Sequence, residues 1–232
     1  VTDVQSLLGL SKPPIAIGFL DSPPEGVAAW SGGPAPAGCF FWKQAQQGKT
    51  FYTVPADHYN CAVGAFTHKI ALPADRAVEL EETVGFMVKC GYIALEEVPG
   101  IPTLASSPNV IAYGPIESAP FTPSVVIVAA EPAQGMLLYE AAIKAGVGSA
   151  LLQTLGRPGC AVLPLSMQSG TAALSFGCKG NRTFTGLPDN EMYLSIPGDK
   201  WPAVAAQVAQ ICQANATMAA HYQQQQARFS AS

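Results

Sequence analysis

Twenty-two glycines and twenty prolines cut this 232-residue chain into short apolar runs. Proline lacks a backbone N–H and stops a helix interior, and glycine permits turns closed to other residues. Long uninterrupted helices should therefore be few, and turns many. Between prolines, the run Ile15–Leu20 reads as a buried strand. Further strands are expected at 51–54, 109–115, 124–130 and 191–196. The one at 124–130 is apolar almost throughout, as a strand covered on both faces would be. Helices are expected at 3–10, closed by Gly9, and at 40–47, ended by Gly48. Another should run from Pro73 to about Cys90, with Glu79, Glu81 and Glu82 early and Lys89 late, as the helix dipole favours. A helix over 133–145 ends at Gly146, and a short apolar helix is expected at 150–155. A long helix over 201–229 with a Gln-rich end closes the chain. The resulting class is α/β (or α+β): one domain over 1–232 with a mixed β-sheet and flanking helices, in one or two lobes.

Composition narrows the function. Hydrophobic residues make up 49% and charged residues only 12%, against about 25% charged in an average soluble chain. So thin a charge layer implies either surface buried in a homo-oligomer or a neutral surface of Ala, Ser, Thr and Gln. The net charge of −4, with no basic run, disfavours nucleic acid, whose phosphates need a positive footprint. No apolar run reaches the roughly 18 residues that span a bilayer, so no membrane segment is expected. The first residues lack the basic and long apolar regions of a signal peptide. A cytoplasmic location with reduced thiols is the resulting expectation.

Six cysteines are too few for a disulfide scaffold. They divide by context. Cys90 and Cys212 lie in helical, apolar-periodic stretches and read as packing residues. Cys39, Cys61, Cys160 and Cys178 lie at loop or element ends, three directly after glycine and one after asparagine. Asp57 or Asn60 would cap a helix that puts Cys61 in its first turn, where a thiolate is favoured. Four loop-borne thiols are the number that holds an iron–sulfur cube or a structural zinc. There is no Cys-x-x-Cys, so the site would be assembled by the fold. Scattered thiolates, with glycine N–H donors and shielding by Phe40, Phe41, Trp42 and Phe176, suit a cluster; zinc and no metal remain alternatives. Gly64, Gly159 and Gly177 are the glycines expected against the bound group. His58 is a candidate ligand or proton donor, and with Cys61 a candidate nucleophilic pair. Arg157 and Arg182 are further catalytic candidates, with Asp189 or Glu191 as ordinary carboxylate partners. Tyr52 and Glu191 are polar candidates near the same segments. Gly146-Val-Gly148 lacks the rest of a phosphate loop.

Several blocks in order resemble one family: Gly48-Lys-x-Phe-Tyr, His58-x-Asn-Cys61-x-x-Gly64-Ala, Gly156-Arg-x-Gly-Cys160-Ala, Ser175-Phe-Gly-Cys178-x-Gly-Asn-Arg182 and Leu187-x-Asp-x-Glu191-Met. With the opening Leu8-Gly-Leu-x-x-Pro-Pro-Ile-Ala-Ile, these are similar to the DUF169 family across nearly the whole chain. The resemblance implies a soluble prokaryotic protein. It favours a thiolate site at Cys61, Cys160 and Cys178 with Cys39 as the fourth member. Three ligands would leave an iron open to substrate, and four would serve electron transfer or stability. The leading expectation is a [4Fe–4S] protein acting on a small molecule or a redox-protein partner. The alternatives are a metal-free enzyme using Cys61 or Cys160 as nucleophile, and a small-molecule binding module with zinc or no metal.

Overall fold

The computed structural model describes residues 2–58 and 61–230. Helix α1 (Val4–Leu8) is defined at both ends by local chemistry. The Asp3 carboxylate accepts the Ser6 N–H at 2.9 Å, and Gly9 closes the last turn in the left-handed conformation, φ 64°. There follow β1 (Ile15–Leu20), α2 (Phe40–Gln46), β2 (Phe51–Thr53), α3 (Ala62–Thr67) and α4 (Ala74–Lys89). Next come β3 (Val110–Pro115), β4 (Val125–Ala130), α5 (Pro132–Lys144), β5 (Gln153–Leu155) and α6 (Val162–Ser169). The chain ends with β6 (Ala173–Ser175), α7 (Lys179–Thr185), β7 (Met192–Pro197) and α8 (Trp201–Ser230).

The seven strands form one mixed sheet in the order β2-β3-β1-β4-β7-β6-β5. Every pairing is antiparallel except β5 with β6, which run parallel and are joined through α6. The crossover that a parallel pair needs is supplied by the connection through α6. Along β4 the side chains alternate between two cores. Val125, Ile127 and Ala129 meet Ile15, Ile17, Phe41, Trp42, Tyr113 and Tyr193 on one face. Val126, Val128 and Ala130 meet Leu138, Leu194, Ile196, Trp201 and Val204 on the other. Helices α1, α5 and α8 cover this second face, while α2 and α6 cover the first, with the cysteine-bearing turns. The mixed α/β class with a long C-terminal helix is as expected. No helix among the described residues is long and apolar enough to cross a membrane.

Three local expectations are corrected. The segment 150–155 is not helical: it ends in β5, whose Gln153, Thr154 and Leu155 pair with Ala173, Leu174 and Ser175. Sheet pairing, aided by β-branched Thr154, overrides the apolar composition that suggested a helix. The stretch 156–182, assigned no helix from sequence, contains α6 and α7. Pro164 is tolerated because it stands in the first turn of α6, where its missing N–H would have had no helical partner. Asp57 does not cap α3; it ends a 3₁₀ turn, Pro55–Asp57, and accepts the Val54 N–H at 2.8 Å. Asn60, the other expected cap, lies outside the described residues. Cys61 itself is the cap, its sulfur accepting the Gly64 N–H at 3.3 Å.

Helices α4 and α8 are only partly bound to this body. No residue of α4 is fully buried, and Val78 and Phe86 are largely exposed. The first turns of α8 bury Trp201, Val204 and Val208, but 213–229 are exposed throughout.

Candidate functional site

The four cysteines singled out by sequence reach one place from four parts of the chain. Cys39, Cys61 and Cys178 are the N-caps of α2, α3 and α7, and Cys160 lies in the 3₁₀ turn Gly159–Ala161 that leads into α6. All four line one cavity of about 1040 Å³ between the sheet's helical cover and α4. Each terminus leaves backbone N–H groups without helical partners, and sulfur takes some of them. Cys61 Sγ accepts from Gly64 at 3.3 Å, and Cys178 Sγ accepts from Asn181 at 3.4 Å. Cys160 Sγ lies 3.4 Å from Thr67 Oγ1, which also reaches the Gly64 carbonyl at 3.1 Å. A hydroxyl has one hydrogen, so both bonds form only if the Cys160 thiol donates; on losing its proton, the sulfur would draw the Thr67 hydrogen to itself.

The electrostatics follow from this crowding. Burial pushes the Cys39 thiol well up, and the neighbouring Cys61, Cys160 and Cys178 push it further. Burial likewise raises Cys61, opposed by the N–H groups of Gly64, Gly38 and Val63, and raises Cys160 strongly, with Cys61 and Cys178 adding to the effect. Burial thus keeps these thiols protonated, and ionising them together would take a positive centre between them. An orphaned polar group borders the same cavity. Asn181 is 2% exposed and lines the cavity, and its amide favours the Cys39 thiolate, yet neither of its polar atoms completes a hydrogen bond. Such an amide can donate to a cluster sulfide or a ligating thiolate.

Among the described residues, no three Cys, His, Asp or Glu side chains are set to hold one metal ion. Around a single zinc, with Zn–S of about 2.3 Å, tetrahedral thiolates lie about 3.8 Å apart. A cube spreads its ligands over separate irons and so accepts a wider set.

The glycines act differently from one another. Gly64 borders the cavity, and a Cβ there would stand 3.0 Å from Cys61 Sγ. Gly159 and Gly177 do not line it; they let two cysteine turns meet. A Cβ on Gly159 would lie 3.0 Å from the Cys178 nitrogen and 3.3 Å from Gly177 Cα. Gly177 has φ +74° and would meet Asn181 and Leu187 at 3.1 Å.

The remaining candidates separate clearly. Arg157 lines the cavity, its guanidinium 4.7 Å over the Tyr92 ring. Arg182 does not line it. It donates to the carbonyls of Phe176 (2.6 Å), Pro188 (2.5 Å), Glu191 (3.0 Å) and Leu187 (3.5 Å), and clamps the turns around α7. Its ordinary partner is Asp189, at 3.9 Å; the Glu191 carboxylate instead takes Lys12 at 2.9 Å and Ser11 at 2.8 Å. Tyr52 serves the edge of the sheet, exchanging backbone bonds with Ala28 and Trp30. His58 is buried behind Gly38 and Cys61, with Nε2 2.9 Å from Thr53 Oγ1 and Nδ1 unpartnered. Burial, reinforced by the charges of His68 and Arg76, holds its pKa down at about 3.

Four contributors escaped the sequence. His68 is buried, lines the cavity and donates Nε2–H to the Cys160 carbonyl at 3.3 Å. Thr67 and Tyr92 carry no sequence mark. Cys90 is the correction among the thiols: it is no packing residue but the exposed cap ending α4, at the cavity wall. The adjacent Gly91 was the available signal. Cys212, by contrast, is half-buried against the second core, as a packing role requires.

No curated protein and no solved structure matches this chain. Residues 3–207 match the family described as DUF169, Uncharacterised ArCR, and the chain belongs to that family.

Proposed function

We propose that this protein carries a [4Fe–4S] cluster on Cys39, Cys61, Cys160 and Cys178, and uses it for electron transfer to a redox-protein partner or redox chemistry on a small molecule. The observation that carries the reading is the convergence of four thiols from distant segments on one cavity, where burial raises Cys39, Cys61 and Cys160. A cluster supplies the positive core such a set lacks, and an electron-accepting centre. The chain's own part is to hold the sulfurs, donate N–H groups from Gly64 and Asn181, and exclude water with Phe184 and Leu155. Burial that raises Cys61 and Cys160 disfavours the metal-free nucleophile, because the thiolate is the reactive form. A reducing compartment such as the cytoplasm belongs to the same reading, because cysteines that ligate a cluster must stay out of disulfides.

The test is a visible spectrum with iron and acid-labile sulfide assays on protein purified without oxygen. The reading expects a broad band near roughly 400 nm and about four irons per chain. Single Cys→Ala changes at the four positions should reduce iron content, while Cys90→Ala and Cys212→Ala should not. Colourless protein with about one zinc, or with no metal, overturns it.

A homo-oligomer is part of the same proposal. Its support is α8, whose apolar stripe continues from buried Val204 and Val208 through half-buried Ile211 to exposed Met218 and Tyr222, at spacings of three, four and seven. That is the spacing of one helix face packed on another. The exposed part lies beyond the residues matched by the family.

A further inference from the structure

The cavity is far larger than four thiolates and a cluster require. At about 1040 Å³ it lies just above the usual range for sites that enclose an organic molecule, about 300–1,000 Å³. Its walls are mainly apolar: Leu80, Val84 and Met87 from α4 face Leu155 and Phe184. Two cations border it, Arg157 and Lys179, against one acid, Glu97. Glu97 is engaged locally, its carboxylate accepting the Ala94 N–H at 3.3 Å.

Arg157 differs from the other arginines near the site. Arg182 spends its donors on four carbonyls, and Arg76 donates to the carbonyls of Ala56 and His58. Arg157 has its guanidinium carbon 4.7 Å over the Tyr92 ring, and no carboxylate pairs with it among the described residues. A guanidinium held over a ring, with no carboxylate of its own, has its planar fork of donors available, and that fork takes a carboxylate through two bonds. Tyr92 also orders the second cation's segment, since its hydroxyl accepts the Lys179 N–H at 3.1 Å. One residue just beyond α4 thus ties both cation-bearing segments to the cavity wall.

We propose that this cavity binds an apolar organic acid, with its carboxylate on Arg157 and Lys179 and its hydrocarbon body along α4 above the cysteines. As a substrate class this rests on the redox reading above; as a binding site it needs no cluster. A sugar or nucleotide would require many polar partners that these walls do not offer.

The experiment is calorimetric titration of the full chain with decanoate and 4-phenylbutyrate, each compared with its primary amide, with iron measured in the same preparation. The expected result is one site per chain, and an acid bound at least about tenfold more tightly than its amide. Arg157→Gln should erase most of that preference while amide binding persists, and Arg157→Lys should restore part of it. Equal affinity for acid and amide, no binding of either, or a preference untouched by both Arg157→Gln and Lys179→Gln overturns the proposal. Should Arg157→Gln fail to fold, the wild-type ratio of acid to amide decides alone. Iron-free protein that keeps the preference defeats the cluster reading only, and iron-loaded protein without it defeats this inference only.

Discussion

Replacing Gly159 by alanine tests whether the two cysteine turns are held together by backbone contact. The added Cβ would meet the Cys178 nitrogen at 3.0 Å, Gly177 Cα at 3.3 Å and Ser175 Oγ at 3.3 Å. Two of these atoms are backbone, so no flexible side chain can swing aside. Overpacking of this kind costs about 1–3 kcal/mol. In a chain of this length each kcal/mol lowers Tm by about 2–4 °C, so the expected loss is about 2–12 °C. The strain falls on the turns that carry Cys160 and Cys178, and metal content should fall with Tm. Gly85→Ala is the control. Gly85 lies inside α4 with nothing within 4 Å of a new Cβ, and alanine in a helix interior gains about 0.5–1 kcal/mol over glycine. Thermal unfolding followed by circular dichroism should therefore move the two variants in opposite directions. A Gly159→Ala protein that melts with the wild type, or above Gly85→Ala, would refute the close-contact argument.

Acid should destabilise the fold through its two buried histidines. Burial holds His58 down at about 3 and His68 at about 4 against an ordinary value of 6.5. Both stay neutral in the native state, so their contribution is full above pH 6.5 and is lost as the unfolded chain gains protons below it. The limit is about 1.4 kcal/mol per pH unit for each histidine, or up to about 4 kcal/mol between pH 6.5 and 5. Denaturant titrations across that range should show the decline, and a flat profile would contradict it. Removing 213–232 deletes the exposed part of α8 while sparing Trp201, Val204 and Val208. Light scattering should then report a smaller species than the full chain, and a full-length monomer would refute self-association through this helix.

Much of the candidate site was legible because each cysteine sits beside a local signal. Gly38, Gly159 and Gly177 mark the ends of elements, and the structure puts Cys39, Cys160 and Cys178 at or near helix starts there. The same reasoning misplaced Cys90, since apolar periodicity along α4 suggested a packed face that no layer covers. The candidate arginines looked equivalent in sequence, each near a cysteine and a glycine. Only the folding of 176–191 around Arg182 gave it four carbonyls, leaving Arg157 at the cavity.

The sequence by itself determined what depends on neighbours within a few positions. The Asp3 and Gly9 caps of α1, the apolar run of β4 and the acidic-to-basic order of α4 all act over one turn or one pleat, so their outcome is written locally. Tertiary structure decided what depends on closure between distant segments. The pairing of β5 with β6 turned an apolar stretch into an edge strand, and the packing of Gly159 against Cys178 brought two cysteine turns into contact. Thr67 and His68 met Cys160 only when α3 settled beside its turn. Such contacts are set by where whole elements pack, and no spacing along the chain encodes them.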